Sequence, residues 1–233
     1  MLHGFGGTAR HWDRVAALLD RERYSPLALE LADAQPLSLE GALDMVGAVD
    51  RERFTLCGYS MGGRIALHVA VTMPERVSRL VLVSTSAGIE DAGVRLARAS
   101  SDEALARKIE RGSIEDFVAG WRETPLFVGD PEWVQDVVAE DERRLSPEQV
   151  AATLRAYGAG RVPPLWGALR DLEMPVVILT GERDVVYCEV GERLAEGLAR
   201  AELRIVPGAG HRVALEAPEA VLAALRPSRA AKL

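Results

Sequence analysis

The sequence predicts an α/β fold: a mostly parallel sheet with helices on both faces and a further block of helices inserted late in the sheet. Three observations lead there. Short apolar runs alternate with amphipathic helical stretches, the pattern of parallel strands joined by helical crossovers. One run, Val77 to Ser84, is almost continuously apolar and so suits a strand buried on both faces. The third is Gly58-Tyr59-Ser60-Met61-Gly62, a G-x-S-x-G turn between apolar Phe54 to Cys57 and a helical pattern from Gly62 to Ala70.

The elements follow in order. A glycine-rich turn, His3 to Gly7, leads into a helix expected over Ala9 to Leu19, carrying Trp12, Val15 and Leu19. Tyr24 to Leu31 reads as a short strand. Ser38 is placed to cap a helix through Val49, with Leu39, Ala42, Leu43 and Val46 on one face. The serine turn and its helix come next, and Pro74 ends that helix. From Gly88 to Trp166 no strand signal appears. Charged amphipathic helices fill this stretch, broken by Gly112, Pro125, Pro131 and Pro147. We expect residues 88–166 to form a helical cap on a core made of 1–87 and 167–233. Strand signals return at Pro175 to Thr180 and at Leu203 to Val206, separated by a helix from about Glu189 to Ala199. A last helix is expected over Ala217 to Leu225.

Composition narrows the function. The 233 residues suffice for one α/β domain with an insertion. Aromatics are few, 5% against 48% hydrophobic, so aliphatic side chains must do most of the packing. A net charge of -7 argues against a nucleic-acid partner. Cys57 and Cys188 lack metal-ligand spacing and read as inert thiols in a reducing cytoplasm. No apolar run reaches transmembrane length and no basic segment precedes an apolar core at the start, so no membrane partner is expected. No metal and no cofactor is expected.

The serine turn carries the chemistry. A serine hydroxyl is a poor base or nucleophile until a histidine takes its proton, and that histidine needs a carboxylate to fix its tautomer. His211, in the loop after the last strand, stands where active-site groups of parallel sheets collect. Asp184, in Gly181-Glu182-Arg183-Asp184, follows another strand end, with Glu182 as its rival. His68 lies inside the serine helix as a packed or surface residue, His11 reads as structural, and His3 belongs to the first turn. Two backbone N–H donors for a developing oxyanion are expected at Met61 and Phe5.

With L-H-G-F-G-G, G-Y-S-M-G-G, G-E-R-D and G-A-G-H in this order, the chain resembles the α/β-hydrolases over nearly its whole length. Within them it is most similar to the 2-succinyl-6-hydroxy-2,4-cyclohexadiene-1-carboxylate synthases of menaquinone biosynthesis. Arg64 after the turn, Arg95 to Arg98, Ile114 to Trp121, Pro125 to Phe127, Arg143 to Leu145 and Leu154 to Gly160 carry that likeness. It implies a lyase that eliminates pyruvate from a small, carboxylate-rich substrate, with the serine as base. It also implies that Arg64, Arg98 and one of Arg143 or Arg144, for which we take Arg144, pair with substrate carboxylates. Tyr59 would line the pocket; Trp121 would line it or anchor the cap. A serine carboxylesterase or carbon–carbon bond hydrolase with the same triad is the alternative, and a non-catalytic binder of the same fold is a third reading. Two features depart from the pattern. The usual D-x-P-G-x-G turn is absent around Leu29 to Pro36, and only Met1 and Leu2 precede His3-Gly4. The fold's N-terminal strands are therefore expected to be missing, through either a true start upstream or a chain that has lost its first strands, with Leu2 lying between the Tyr24 strand and the serine strand.

Overall fold

A computed structural model describes residues 1–226. Its centre is a parallel sheet of four strands in the order β1 (Phe54–Tyr59), β2 (Val77–Val83), β3 (Val176–Gly181) and β4 (Ala201–Val206). Strand alternation sends successive side chains to opposite faces. Leu56, Leu80, Leu82, Val176 and Ile178 point to one face, where α2 (Leu39–Gly47), α3 (Met61–Thr72) and α8 (Val185–Gly197) cover them. Cys57, Val81, Val83, Val177 and Leu179 point to the other. They meet Trp12 and Val15 around α1 (Asp13–Leu18), Val213 and Ala214 of α9 (Val213–Glu216), and Val221 and Ala224 of α10 (Pro218–Leu225). Each central strand is thus apolar on both sides, as the run Val77 to Ser84 implies.

Between β2 and β3 lie four helices, α4 (Ala92–Arg111), α5 (Ile114–Arg122), α6 (Glu132–Glu142) and α7 (Pro147–Tyr157). They enclose a smaller apolar cluster of their own, including Ile109, Phe117, Val118, Val150 and Leu154. Ser113 and Ser146 cap α5 and α7 through reciprocal capping boxes, which is why both begin sharply. The break expected at Pro147 falls between α6 and α7, with Pro147 as the first residue of α7, where its missing N–H costs nothing.

Leu2 does lie between its two expected neighbours. It bridges Leu29 on one side and Gly58 on the other, both in parallel sense. Its N–H donates to Cys57 O at 2.8 Å and its carbonyl accepts from Tyr59 N at 3.0 Å. The strand expected at Tyr24 to Leu31 does not form; only Leu29 is paired. Pro26 brings no donor to a ladder. The first helix also differs, with Ala9–Trp12 forming a 3-10 turn before α1. Helix α8 starts four residues earlier than expected because Asp184 caps it. Among the described residues no helix is long and apolar enough to cross a membrane.

Candidate active site

Ser60 sits where β1 turns into α3, with φ 51 and ψ -111. A non-glycine residue in this region is strained and needs its surroundings to hold it. Its N–H donates to Val83 O at 2.9 Å, and its carbonyl accepts from Thr85 Oγ1 at 2.6 Å and from Gly63 N at 3.1 Å. The flanking glycines are required by space. A Cβ on Gly58 would lie 2.4 Å from Gly62 O, and one on Gly62 would lie 2.4 Å from Leu2 O.

Two loops at the carboxyl ends of β3 and β4 bring in the remaining groups. His211 Nε2 lies 3.1 Å from Ser60 Oγ, and its Nδ1 lies 2.6 Å from Asp184 Oδ2. With Nδ1–H donating to the carboxylate, Nε2 is left as the acceptor facing the serine. Asp184 Oδ1 also accepts from Tyr187 N at 3.4 Å as the cap of α8, where the helix N-terminus favours its charge. Glu182 takes no part in this; its carboxylate accepts from Gly208 N instead. His211 is 1% exposed. Burial lowers its pKa below the ordinary histidine value, against the opposing pull of Asp184.

Phe5 and Met61 line the same pocket as Ser60, a space of about 320 Å³. Among the described residues neither N–H donates to a backbone or side-chain acceptor, and Met61, as the first residue of α3, has no intrahelical partner. The Phe5 ring packs edge-on to Trp121 and Phe117, at 5.1 and 5.9 Å between centroids. Trp121 therefore both lines the pocket and holds the loop.

Arg64 stands one turn past Ser60 on α3 and opens on the pocket. It is 8% exposed, its Nη2 donates to Tyr157 O at 3.4 Å, and its Nε has no partner among the described residues. Burial draws its pKa down. Arg98 lines the opposite, helical side and donates from Nε to Asp102 Oδ1 at 2.7 Å. Asp102, also in the wall, receives Gly160 N at 3.4 Å. Two cations and one anion thus leave the pocket wall with an excess of positive charge.

Arg144 does not join them. It pairs with Glu140 at 3.0 Å, one helical turn away, and lines a neighbouring cleft. Arg155 is bound by Glu103 and Glu110 of α4, and Arg95 by the carbonyls of Ile89 and Glu90. His68 ties α3 to Pro163 O, and His3 ties the first turn to Glu30. Tyr59 borders the pocket with its ring stacked on His11 at 4.5 Å and 6°. Sequence reasoning missed Tyr187 and Phe127, whose rings lie 4.6 and 5.7 Å from that of His211. It also missed Asp102, although its i, i+4 spacing from Arg98 was a readable signal.

Comparison with known proteins gives the family and the fold. The profile of the alpha/beta hydrolase family matches residues 1–224. A Bacillus subtilis (strain 168) protein assigned as 2-succinyl-6-hydroxy-2,4-cyclohexadiene-1-carboxylate synthase is 32% identical, over 93% of this chain and 84% of its own. The 2-succinyl-6-hydroxy-2,4-cyclohexadiene-1-carboxylate synthase of Enterobacter sp. (strain 638) is 30% identical, over 96% and 88%. Among solved structures, MenH from S. aureus superposes with a TM-score of 0.82 at 27% identity, covering 95% of this chain and 89% of that one.

Proposed function

We propose that this chain, which belongs to the alpha/beta hydrolase family, is a lyase of the 2-succinyl-6-hydroxy-2,4-cyclohexadiene-1-carboxylate synthase type, acting in menaquinone biosynthesis. The likeness to the Bacillus and Enterobacter proteins supports the assignment. The observation that carries it is Arg64, a buried guanidinium with an unsatisfied Nε in the wall of the Ser60 pocket. A buried cation without a carboxylate of its own is costly, and a substrate carboxylate offsets that cost. A neutral ester has no use for it.

Ser60, Asp184 and His211 are the catalytic residues in this reading. The Ser60 hydroxyl passes its proton to His211 Nε2 and takes one from the ring carbon beside the succinyl carbonyl. The electron pair moves through the ring double bond and expels the three-carbon enol ether oxygen at the far end. The ring gains the 2,4-diene, and the departing enolate picks up a proton to become pyruvate; no water is consumed. Charge that gathers on the succinyl carbonyl oxygen meets the N–H groups of Phe5 and Met61. Arg64 and Arg98 hold the substrate carboxylates, and Tyr59 and Trp121 line the apolar remainder. Residues 88–166 act as the cap that closes this pocket.

The test is chemical. Purified protein supplied with the succinyl-cyclohexene intermediate should release pyruvate, and should hydrolyse short p-nitrophenyl esters poorly. Efficient ester hydrolysis with no pyruvate release would make it a carboxylesterase.

A further inference from the structure

A second cleft, about 130 Å³, lies behind the loop Gly4 to Gly7 and shares Phe5, Tyr59 and Phe127 with the Ser60 pocket. Glu142, the last residue of α6, borders it. Glu142 is 1% exposed, and its Oε2 has no hydrogen-bond partner among the described residues. The residue before it behaves oppositely. Asp141 accepts from Thr8 N at 2.9 Å and from Thr8 Oγ1 at 2.7 Å. Of two consecutive acids beside the same loop, one is thus hydrogen-bonded to it and the other is not. Gly6, at φ +73, is Glu142's neighbour there: a Cβ on it would sit at ordinary packing distance, 3.5 Å, from Glu142 Oε1.

The groups facing Glu142 do not supply a partner. Arg212, from the segment before α9, is bound to Asp130 and lies 3.8 Å over the Phe127 ring. Arg122 of α5 is bound to Asp136 through Nη2, while its buried Nε and His11 Nε2 bond nothing among the described residues, Glu142 included. Asp141 and Arg143 flank it on its own chain. Across the cleft, His11 stays neutral, because burial pulls its pKa to about 3. Burial likewise pushes the Glu142 carboxyl up to about 8, against the weaker pull of Arg212.

We propose that Glu142 is a positioning residue for the oxyanion loop, seating Phe5 only while it is uncharged, and that its ionisation gives turnover an alkaline limb. The inference rests on Phe5 being an oxyanion donor, as in the proposed function. A charged Glu142, with no donor bonded to it, is driven out of its buried seat beside Gly6, and the loop loses that support. Any charge that stays also opposes the negative charge the loop has to receive.

The experiment measures pyruvate release, and fluorophosphonate labelling of Ser60, from pH 6 to pH 10 in wild type and Glu142→Gln. Wild type should lose about tenfold per pH unit above roughly pH 8 in both assays, while E142Q keeps its pH 7 rate. Labelling needs no substrate, so a limb in labelling without pyruvate release would sink the synthase reading and leave this one standing. A limb that persists in E142Q, or a wild-type rate that is flat to pH 10, overturns the proposal. Glu142→Met is the second variant and should also be flat. The unfolding midpoint gives a second readout as the difference between wild type and Glu142→Gln, in which the buried histidines cancel. A carboxyl protonated in the fold and ionised when unfolded makes wild type lose ground to the variant as pH rises from about 5 to 8; a difference that does not change over that range counts against Glu142.

Discussion

Arg64 Nη2 reaches Tyr157 O at 3.4 Å, while Arg64 Nε, a few bonds away, bonds nothing among the described residues. A guanidinium this buried is held by one long hydrogen bond to a neutral carbonyl. That leaves most of its donors for a substrate.

Arg64→Ala should therefore cost on the order of 2–5 kcal/mol in kcat/KM with the carboxylate-rich substrate. Arg64→Lys should recover only part of it, since an ammonium cannot reproduce the planar fork. Against a neutral ester both variants should behave nearly as wild type. Equal losses on the two substrates would mean that Arg64 supports the fold instead.

Ser60→Ala and His211→Ala should each lower turnover by about a thousandfold or more, and the double variant should be little worse than either, because the groups act as a unit. Circular dichroism should show an unchanged fold. A folded Ser60→Ala protein with near-normal turnover would remove the serine from the mechanism.

The acid limb of turnover belongs to His211. The neutral imidazole is the working form, so activity falls as pH drops through its pKa. Burial lowers that pKa, so the midpoint of the limb should lie below the ordinary histidine value of about 6.5. A midpoint above 7 in kcat/KM would mean that another group controls the limb.

The features readable in the sequence are those set by local chemistry. The serine turn, the apolar runs of β1 to β4 and the loops holding Asp184 and His211 depend on neighbours close in the chain, as does the start of α2 capped by Ser38. The choice of Asp184 over Glu182 was decided by direction at a strand end, which spacing alone does not encode. The first turn of helix α8 carries no apolar stripe, since Val185 and Val186 are exposed, so its start is not visible in the hydrophobic pattern. Arg144 and Arg98 look alike in sequence, yet of the two only Arg98 lines the pocket that holds Ser60. Glu142 gave no signal, since nothing local distinguishes a buried glutamate at a helix end from a solvated one.

The last prediction concerns Gly181, where the two triad loops touch. A Cβ on this residue would lie 2.1 Å from Gly210 O and 2.4 Å from Ala209 O. Both obstacles are backbone, so Gly181→Ala must push the loop before His211 away from the end of β3. Arg183 N–Ala209 O at 2.9 Å and Gly208 N–Glu182 Oε2 at 2.9 Å would strain with it. The 2.6 Å contact between His211 and Asp184 spans the same seam and should lengthen. We expect a stability loss of about 1–3 kcal/mol, typical of overpacking. Turnover should fall at least about tenfold even at temperatures where the variant is fully folded, because the histidine loses its orienting partner. Gly120→Ala is the control: its Cβ meets nothing within 4 Å, and in helix α5 alanine should stabilise by about 0.5–1 kcal/mol. Unfolding curves and kcat for both variants separate the two effects. If folded Gly181→Ala turned over at the wild-type rate, the contact between these loops would not be what sets His211.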